Sequence, residues 1–382
     1  MRELYVNPEN DGAVLLTENG ETVEVTRNQE NDPTGTVFIG KVDRIMKSIE
    51  AAFVDIGSGK DAFLPLNENS ETFSGPELRS GMKVAVQIRR EAHGSKGAYV
   101  SRDLVIPGTR LILMPMNRHI GISAKITDEA VRKNLKGLGE NLTEGKNGLV
   151  MRTSAANAGK QELCEEYDRL VRSWESLRTE IEHYPGTGAV NPPESVAERY
   201  LRDYGNGGID RIVTCGDLPF ETDVPVEHRS REEIAQKIRN AVRTAMKRTV
   251  RLPHGGTLVI DPCEAMTVID VNTASDTRSR DGFTGTNLEA CTEIAKQIRL
   301  RNLSGIVIID MIDMKTDTQR EEVTETLRKA VAGDRVKTVV HGMTSLGLIE
   351  MTRKRTDPSV YEQWKDLIPQ TDMEIKPEEA GE

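Results

Sequence analysis

MTVIDVNTAS at residues 266–275 and SGIVIIDMIDM at residues 304–314 decide the fold. Each is a continuous apolar run that ends in an aspartate, Asp270 in the first and Asp310 in the second. Runs of this length, rich in Val and Ile, predict strands buried on both faces. Between them, Leu288, Cys291, Ile294, Ala295 and Ile298 recur at helical spacing. Thr286 with Glu289 has the spacing of a capping box, and Asn302 to Gly305 supplies the stop. Strand, helix, strand over such a distance predicts a parallel pair. Asp270 and Asp310 then meet at the carboxyl edge of one sheet, where open α/β sheets bind ligands.

Asn272 stands two residues beyond Asp270, so in extended backbone both side chains address one point. Two carboxylates and a carboxamide form a hard, all-oxygen donor set. Magnesium takes one or two carboxylates, keeps several waters and draws the rest of its shell from substrate phosphate. An ion held there can activate water and stabilise charge on a phosphodiester. Strand-end aspartates also serve simply as hydrogen-bond acceptors for the next turn, and spacing alone leaves both readings open.

Working outward, LYVN, AVLLT and TVEVT in the first 30 residues read as strands separated by hairpin signals, Asn10-Asp11-Gly12 and Glu18-Asn19-Gly20. Asn31-Asp32-Pro33 breaks that pattern. From Thr36 to about Arg102 five short β runs with glycine-rich turns predict a small barrel of the OB type. In AAFVDI, Ala52, Val54 and Ile56 share one parity while Phe53 goes with Asp55; in DAFLPL, Phe63 goes with Asp61. Two of six phenylalanines thus sit on polar faces, where base stacking would use them. Lys83, Arg89, Arg90 and Lys96 are placed to follow phosphates. A strand buried on both faces is the competing account.

GTRLILMPM and NGLVMRTSA read as strands and residues 128–138 as a helix. Residues 160–183 predict a long helix with a narrow apolar seam of Leu163, Tyr167, Leu170, Trp174, Leu177 and Ile181, suited to packing. GTGAVNPPE reads as a turn or linker, residues 199–215 as a helical turn and a strand, and the acidic tail beyond Pro369 as disordered.

With 382 residues the chain exceeds one ordinary core, and its 37% hydrophobic and 29% charged content is that of a soluble multidomain α/β protein. No run approaches membrane-spanning length and the N-terminus is not a signal peptide, so a cytoplasmic protein without membrane contact is expected. A net charge of −10 argues against indiscriminate nucleic-acid binding, which turns attention to local patches. One lies on residues 229–251, with Lys237, Arg239, Arg243, Lys247 and Arg248; it reads equally as a solvated helix face. A second, Arg278, Arg280, Lys296, Arg299 and Arg301, is expected around the aspartates. Four scattered cysteines without a C-x-x-C pair indicate neither zinc nor disulfides, and buried thiols are expected.

RLPHGGTLVIDPCEAMTVIDVNTAS, TNLEACTEIAKQIRLRNLSGIVIIDMIDM and GLIEMTRKR resemble the catalytic core of the ribonuclease E / ribonuclease G family, and FIGKVDRIMKSIEAAFVDIGSGKDAFLPLNE resembles its OB insert. The resemblance runs to about Arg355. It implies a ribonuclease-H-like segment (1–35 and 198–248) interrupted by an OB-fold RNA-binding domain (36–102) and a 5′-sensor subdomain (103–197). A deoxyribonuclease-I-like catalytic domain (249–358) and a tail (359–382) follow. It implies a magnesium-dependent endoribonuclease, with manganese as an acceptable substitute, that cuts single-stranded RNA in RNA processing and decay and leaves 5′-phosphate and 3′-hydroxyl ends. Carried over motif by motif, the metal carboxylates are Asp270 and Asp310 and the assisting amide is Asn272. The RNA-contacting residues are Phe53, Phe63 and Lys96. A 5′-phosphate pocket is implied at Gly108, Ile112, Arg152 and Thr153, with Lys337 where the family usually has arginine, which keeps the charge and loses the fork. Family members usually carry a C-P-x-C zinc link after the catalytic domain. No cysteine follows Cys291 here, so oligomerisation through structural zinc is not expected. Against the endonuclease stand a non-catalytic RNA-binding protein on the same scaffold and a metal phosphodiesterase acting on DNA or nucleotides.

Overall fold

The two aspartate-bearing runs pair in parallel as strands Met266–Asn272 and Gly305–Asp310, with Asp270 directly opposite Asp310. In this computed structural model, which describes residues 1–8, 12–27, 33–66, 73–92, 96–191, 194–205, 208–218, 220, 222–273 and 283–366, the chain divides into two units. One comprises Met1–Gln29 with Ile209–Glu382, the other Glu30–Gly208. The turn signals Asn10-Asp11 and Asn31-Asp32, the cations Arg278 and Arg280, and the acidic tail lie outside the described residues.

In the first unit the aspartate strands form the centre of a six-stranded sheet. Its order is Thr249–Arg251, Thr257–Pro262, Met266–Asn272, Gly305–Asp310, Ile349–Arg353, Thr338–Met343. Only the central pair is parallel; each flanking strand runs antiparallel to its neighbour. The strands are not buried on both faces, contrary to the reading of their apolar runs. Thr267, Ile269, Val271, Val307 and Ile309 are buried, and the hydrophobic ones among them pack with Ala290, Cys291, Ile294, Val323 and Leu327 of helices Phe283–Leu300 and Asp317–Val331. The alternate positions Met266 and Ile306 are 37% and 45% exposed. One helical layer covers one face, and β-branched side chains are equally at home on a half-buried pleated surface.

The capping box is also corrected. The helix already runs from Phe283, so Thr286 lies inside it, and Glu289 accepts from the backbone N–H of His254 at 3.1 Å. Asn302 (φ 49°) and Gly305 (φ 86°) end the helix as expected.

A buried ion pair fixes the entry to the Asp310 strand. Arg353 Nε donates to Asp334 Oδ2 at 2.7 Å and Nη1 to Asn302 Oδ1 at 2.7 Å and Leu303 O at 3.1 Å. Asp334 also accepts from Val336 N and Thr338 Oγ1, each at 3.0 Å. At the far end, buried Asn287 clasps the backbone of Ile312, donating to its carbonyl at 2.8 Å and accepting from its N–H at 3.0 Å.

The unit's second sheet has the order Val226–His228, Arg211–Thr214, Arg2–Asn7, Ala13–Glu18, Glu21–Thr26. Arg211–Thr214 pairs in parallel with Arg2–Asn7, so the chain rejoins its first strand after the whole second unit. Asn19 (φ 53°) and Gly20 (φ 85°) form the tight turn that their sequence announces. Helix Arg231–Met246 buries Ile234, Ile238, Ala241 and Val242 against this sheet.

Lys237, Arg239 and Arg248 of the first expected basic patch, and Lys296, Arg299 and Arg301 of the second, are engaged in internal pairing. Lys237 Nζ donates to the Tyr5 hydroxyl at 2.7 Å, Arg239 reaches Glu232 at 2.6 Å, and Arg248 reaches Asp261 at 2.6 Å. Lys296 pairs with Glu21 at 3.0 Å and Arg299 with Glu18 and Glu24 at 3.4 Å each, so neither attends the aspartates. Arg301 donates to Gln297 and to Lys247 O, and burial pushes its guanidinium down to about 10.

The second unit holds a five-stranded barrel and a four-stranded sheet. Strand Val37–Met46 closes the barrel by pairing with both Ala51–Asp55 and Lys83–Arg90, a bulge between Val42 and Arg44 bending it between the two. Ala62–Pro65 and Tyr99–Ser101 complete it around Val42, Val54, Leu64, Val86 and Val100. GTGAVNPPE is not a free linker: Gly188–Ala189 pairs with Val37–Met46, and Val37 N donates to Asn191 Oδ1 at 2.9 Å. The other sheet has the order Ile120–Ile122, Gly148–Met151, Leu111–Met114, Ile106–Pro107. Helix Glu129–Thr143 starts at Asp128, whose carboxylate accepts from Ala130 N and Val131 N. Helix Lys160–His183 buries Leu163, Tyr167 and Leu170, while Trp174, Leu177 and Ile181 are only half-buried, so the seam packs for half its length.

Cys291 is buried, Cys164 and Cys215 are half-buried and Cys263 is exposed, so burial of all four thiols does not hold. Among the described residues no helix is long and apolar enough to cross a membrane.

With side chains 1% and 2% exposed, the Arg353–Asp334 pair loses its compensation when either member is neutralised. Asp334→Asn should destabilise the first unit by about 3–5 kcal/mol, read from urea unfolding followed by tryptophan fluorescence. Burial pushes the Cys291 thiol up to about 12, so a disulfide reagent should label Cys263 in the native protein and Cys291 only on unfolding.

Candidate functional site

Three constellations expected from sequence can be located. The first is the carboxylate pair. Asp270 and Asp310 occupy facing positions on neighbouring parallel strands, which lie about 4.8 Å apart. Both point away from the helices, Asp270 half-exposed and Asp310 exposed. Asn272 Nδ2 donates to Asp270 Oδ2 at 2.7 Å, a bond that fixes that carboxylate and does not use the amide oxygen. Among the described residues no cation pairs with either aspartate, and no third carboxylate, imidazole or thiol joins them in a metal-sized group. Two adjacent like charges without compensation repel, and a divalent cation removes that repulsion. Two carboxylates and an amide, open to solvent on one side, fit magnesium, which fills its shell with water and phosphate. A softer ion would call for imidazole or thiolate, and among the described residues neither joins the pair in a metal-sized group.

The second constellation is on the barrel. Phe53 and Phe63 are register partners and meet edge to face, centroids 6.0 Å apart at 84°. Phe63 is in turn level with Tyr99, centroids 5.9 Å apart at 29°. Register continues at both ends: Arg44 is opposite Phe53 with its guanidinium 4.5 Å from the ring centroid, and Arg90 is opposite Tyr99 at 4.7 Å. Five strands thus contribute one continuous row, arginine, three rings, arginine. The row lines an open pocket of about 830 Å³ together with Lys60 and Lys96. The phenylalanines are half-buried, not sealed in the core, because Ala52, Val54, Ala62 and Leu64 fill the barrel from the alternate positions.

Lys96 is brought to this pocket; Lys83 and Arg89 are not. Lys83 Nζ reaches Pro185 O at 3.4 Å, and Arg89 donates to Asp103 O. Gly97 allows the approach, since a Cβ there would come within 1.9 Å of Asp61 O. Sequence reasoning missed Tyr99 and Arg44. The parity that singled out Phe53 would have found Tyr99 in GAYVS, between the buried Ala98 and Val100, but the strand is only three residues long.

The third constellation gathers around the end of strand Gly148–Met151. Arg152 follows that strand, its N–H bonded to Arg110 O at 2.8 Å, and Thr153 is exposed beside it, with Oγ1 2.9 Å from Ser123 Oγ. Ile112 is opposite Val150, on the same face as Arg152. Arg152 Nη1 donates to Gly108 O at 2.6 Å and Nη2 to Asp203 Oδ1 at 2.8 Å. A Cβ on Gly108 would collide with buried Glu166 Oε1 at 2.5 Å, so this tight passage requires glycine. Gly108, Ile112, Arg152 and Thr153 therefore come together. Lys337 belongs to the other unit, exposed just before strand Thr338–Met343, with its carbonyl accepting from Lys354 N at 2.9 Å.

Known proteins resemble this chain over most of its length. The model of the ribonuclease E/G family matches residues 105–356. Ribonuclease G of Haemophilus influenzae is 34% identical over 403 aligned positions, covering 96% of this chain and 82% of that protein. Ribonuclease G of Escherichia coli is 33% identical over 383 positions, 92% of this chain and 77% of its own length. Ribonuclease E of a Nostoc species is 33% identical over 365 positions, 88% of this chain and 53% of that protein. The chain belongs to the ribonuclease E/G family.

Proposed function

We propose that the protein is a cytoplasmic endoribonuclease that cleaves single-stranded RNA in RNA processing and decay, using magnesium and leaving 5′-phosphate and 3′-hydroxyl ends. Family membership supports the activity. The observation that carries the assignment to a site is the facing pair Asp270 and Asp310, exposed on an open sheet face with no cation beside it among the described residues. On this reading the sheet that begins with Arg2–Asn7 is the ribonuclease-H-like segment. The barrel is the OB-fold insert, the sheet bearing Arg152 is the 5′ sensor, and the six-stranded sheet is the deoxyribonuclease-I-like catalytic domain.

Asp270 and Asp310 would hold magnesium between them, with manganese as a substitute. Bound there, the ion supplies Lewis-acid stabilisation of the phosphate and activation of water. The chain's own residues do the rest. Asn272 keeps Asp270 in its rotamer through the 2.7 Å bond and offers its amide oxygen to a ligand. The Asn287 clasp on Ile312 and the Arg353 network at Leu303 hold the two ends of the Asp310 strand, so the carboxylate separation is set by packed backbone. The barrel row gives bases three rings on which to stack, and Arg44, Arg90, Lys60 and Lys96 supply charge for the phosphates. Stacking is tolerant of sequence, which suits an enzyme for single strands.

Magnesium-dependent internal cuts in a single-stranded, AU-rich RNA are expected from the purified protein. Asp270→Asn and Asp310→Asn should each abolish them while RNA binding by the barrel persists. Cutting that survives in both variants would remove the pair from catalysis, and binding without cutting by the wild type would favour a non-catalytic RNA-binding protein. For the barrel, Tyr99→Ala should weaken binding of a short oligoribonucleotide by about 1–3 kcal/mol in fluorescence anisotropy, as Phe63→Ala should, and an undiminished affinity would take Tyr99 out of the platform.

A further inference from the structure

The guanidinium of Arg152 is already engaged. Nη1 is committed to the carbonyl of Gly108 at 2.6 Å, and Nη2 to Asp203 Oδ1 at 2.8 Å. Asp203 arrives from helix Val196–Tyr204, and both partners are largely shielded, the Arg152 side chain 24% exposed and the Asp203 side chain 16%. An anion that approaches the outer nitrogen of Arg152 meets the Asp203 carboxylate already bound there and competes with it for the positive charge. Asp203 has a second cation within reach. Arg202, next in sequence, directs both Nε and Nη2 at the same Oδ1 from 3.3 Å. Arg202 is anchored in turn through Nη1 to Glu194. If the carboxylate leaves Arg152 it keeps a guanidinium, so it is not stranded as an uncompensated charge.

We propose that Asp203 is an internal competitor for the 5′-phosphate, an anion that holds the outer nitrogen of Arg152 until a terminal phosphate displaces it onto Arg202. This rests on the reading of Arg152 as the phosphate ligand. The exchange is selective by charge and shape. A terminal phosphate carries about −1.5 to −2 charges and three acceptor oxygens at pH 7, against one charge on the carboxylate it replaces. A 5′-hydroxyl carries no charge and cannot compete, and an internal phosphodiester brings a single charge, no more than Asp203 itself. Asp203 is thus a specificity-determining residue: it lowers affinity for the correct end, and it keeps Arg152 from gripping the wrong part of the RNA.

The test compares cleavage of one RNA bearing either a 5′-monophosphate or a 5′-hydroxyl, with kcat and KM measured separately for wild type, Asp203→Asn, Arg152→Ala and the double variant. Asp203→Asn keeps the shape and removes the charge. The expected result is a lower KM for the monophosphorylated RNA, on the order of three- to tenfold, with kcat little changed and the preference over the hydroxyl form increased. In the double variant that gain should vanish. A preference that falls or stays the same in Asp203→Asn, while Arg152→Ala abolishes it, overturns the proposal and makes Asp203 a support that holds Arg152 in place. A preference that survives Arg152→Ala removes Arg152 from phosphate binding and takes the underlying reading with it. Should Asp203→Asn melt at a lower temperature than wild type, Asp203→Ser serves as the second neutral variant, and a raised preference is required of it as well.

Discussion

The parallel pairing of Met266–Asn272 with Gly305–Asp310 is the constraint on which the rest depends. Register in a sheet is set by which parity is buried, and a slip of one residue would turn every side chain to the other face. Here Thr267, Ile269, Val271, Val307 and Ile309 are buried and cannot be exchanged for their neighbours without exposing the core. That apolar requirement is what brings Asp270 level with Asp310. Two like charges side by side are unfavourable on their own, so the chemistry of the site is imposed by packing that has nothing to do with the chemistry. The helix clasp through Asn287 and the buried Arg353–Asp334 pair serve the same end, since they hold the strand that carries Asp310 at both extremities.

How much of this could be read from sequence differs by kind of signal. The strand–helix–strand unit, the tight turn at Asn19-Gly20, the five barrel strands and the long helix 160–183 were legible because each rests on local periodicity or on backbone that few residues can adopt. The burial of the central strands was not legible. A run such as Val268, Ile269, Asp270, Val271 fits a strand covered on one side as well as one covered on both, and what decides is how many helical layers the fold supplies. Charge was the least legible. Lys296 and Arg299 sit on the helix joining the two aspartate strands, yet they face Glu21, Glu18 and Glu24, far away in sequence. Whether a cation is spent or available depends on partners that no local window contains. Thr286 and Glu289 failed for a related reason: the spacing of a capping box also occurs one turn inside a helix.

The barrel row illustrates how a surface can be more ordered than its sequence. Arg44, Phe53, Phe63, Tyr99 and Arg90 come from five strands, and no two are neighbours in the chain. Parity identified the two phenylalanines because each lies in a strand long enough to alternate visibly. Tyr99 lies in a strand of three residues, and its place in the row follows only from the parallel contact with Phe63. Arginines over the terminal rings stabilise these half-buried aromatics through cation–π contact and leave charge where a nucleic-acid backbone would run.

Among the described residues charge is left unbalanced in one of these sites and balanced in another, a contrast that suits the ligand proposed for each. Asp270 and Asp310 have no cation paired with them among the described residues, and on the proposed reading a divalent ion would relieve the repulsion between the two carboxylates. Arg152 has Asp203, so a phosphate bound there, as proposed, would meet a competitor of the same sign. An uncompensated pair favours any suitable divalent cation, which suits the role proposed for the ion as a reagent common to every turnover. A compensated arginine favours an anion stronger than its resident partner, which suits the discrimination between RNA ends proposed for it. The difference lies in a single carboxylate on helix Val196–Tyr204, held between Arg152 and Arg202 so that either can keep it.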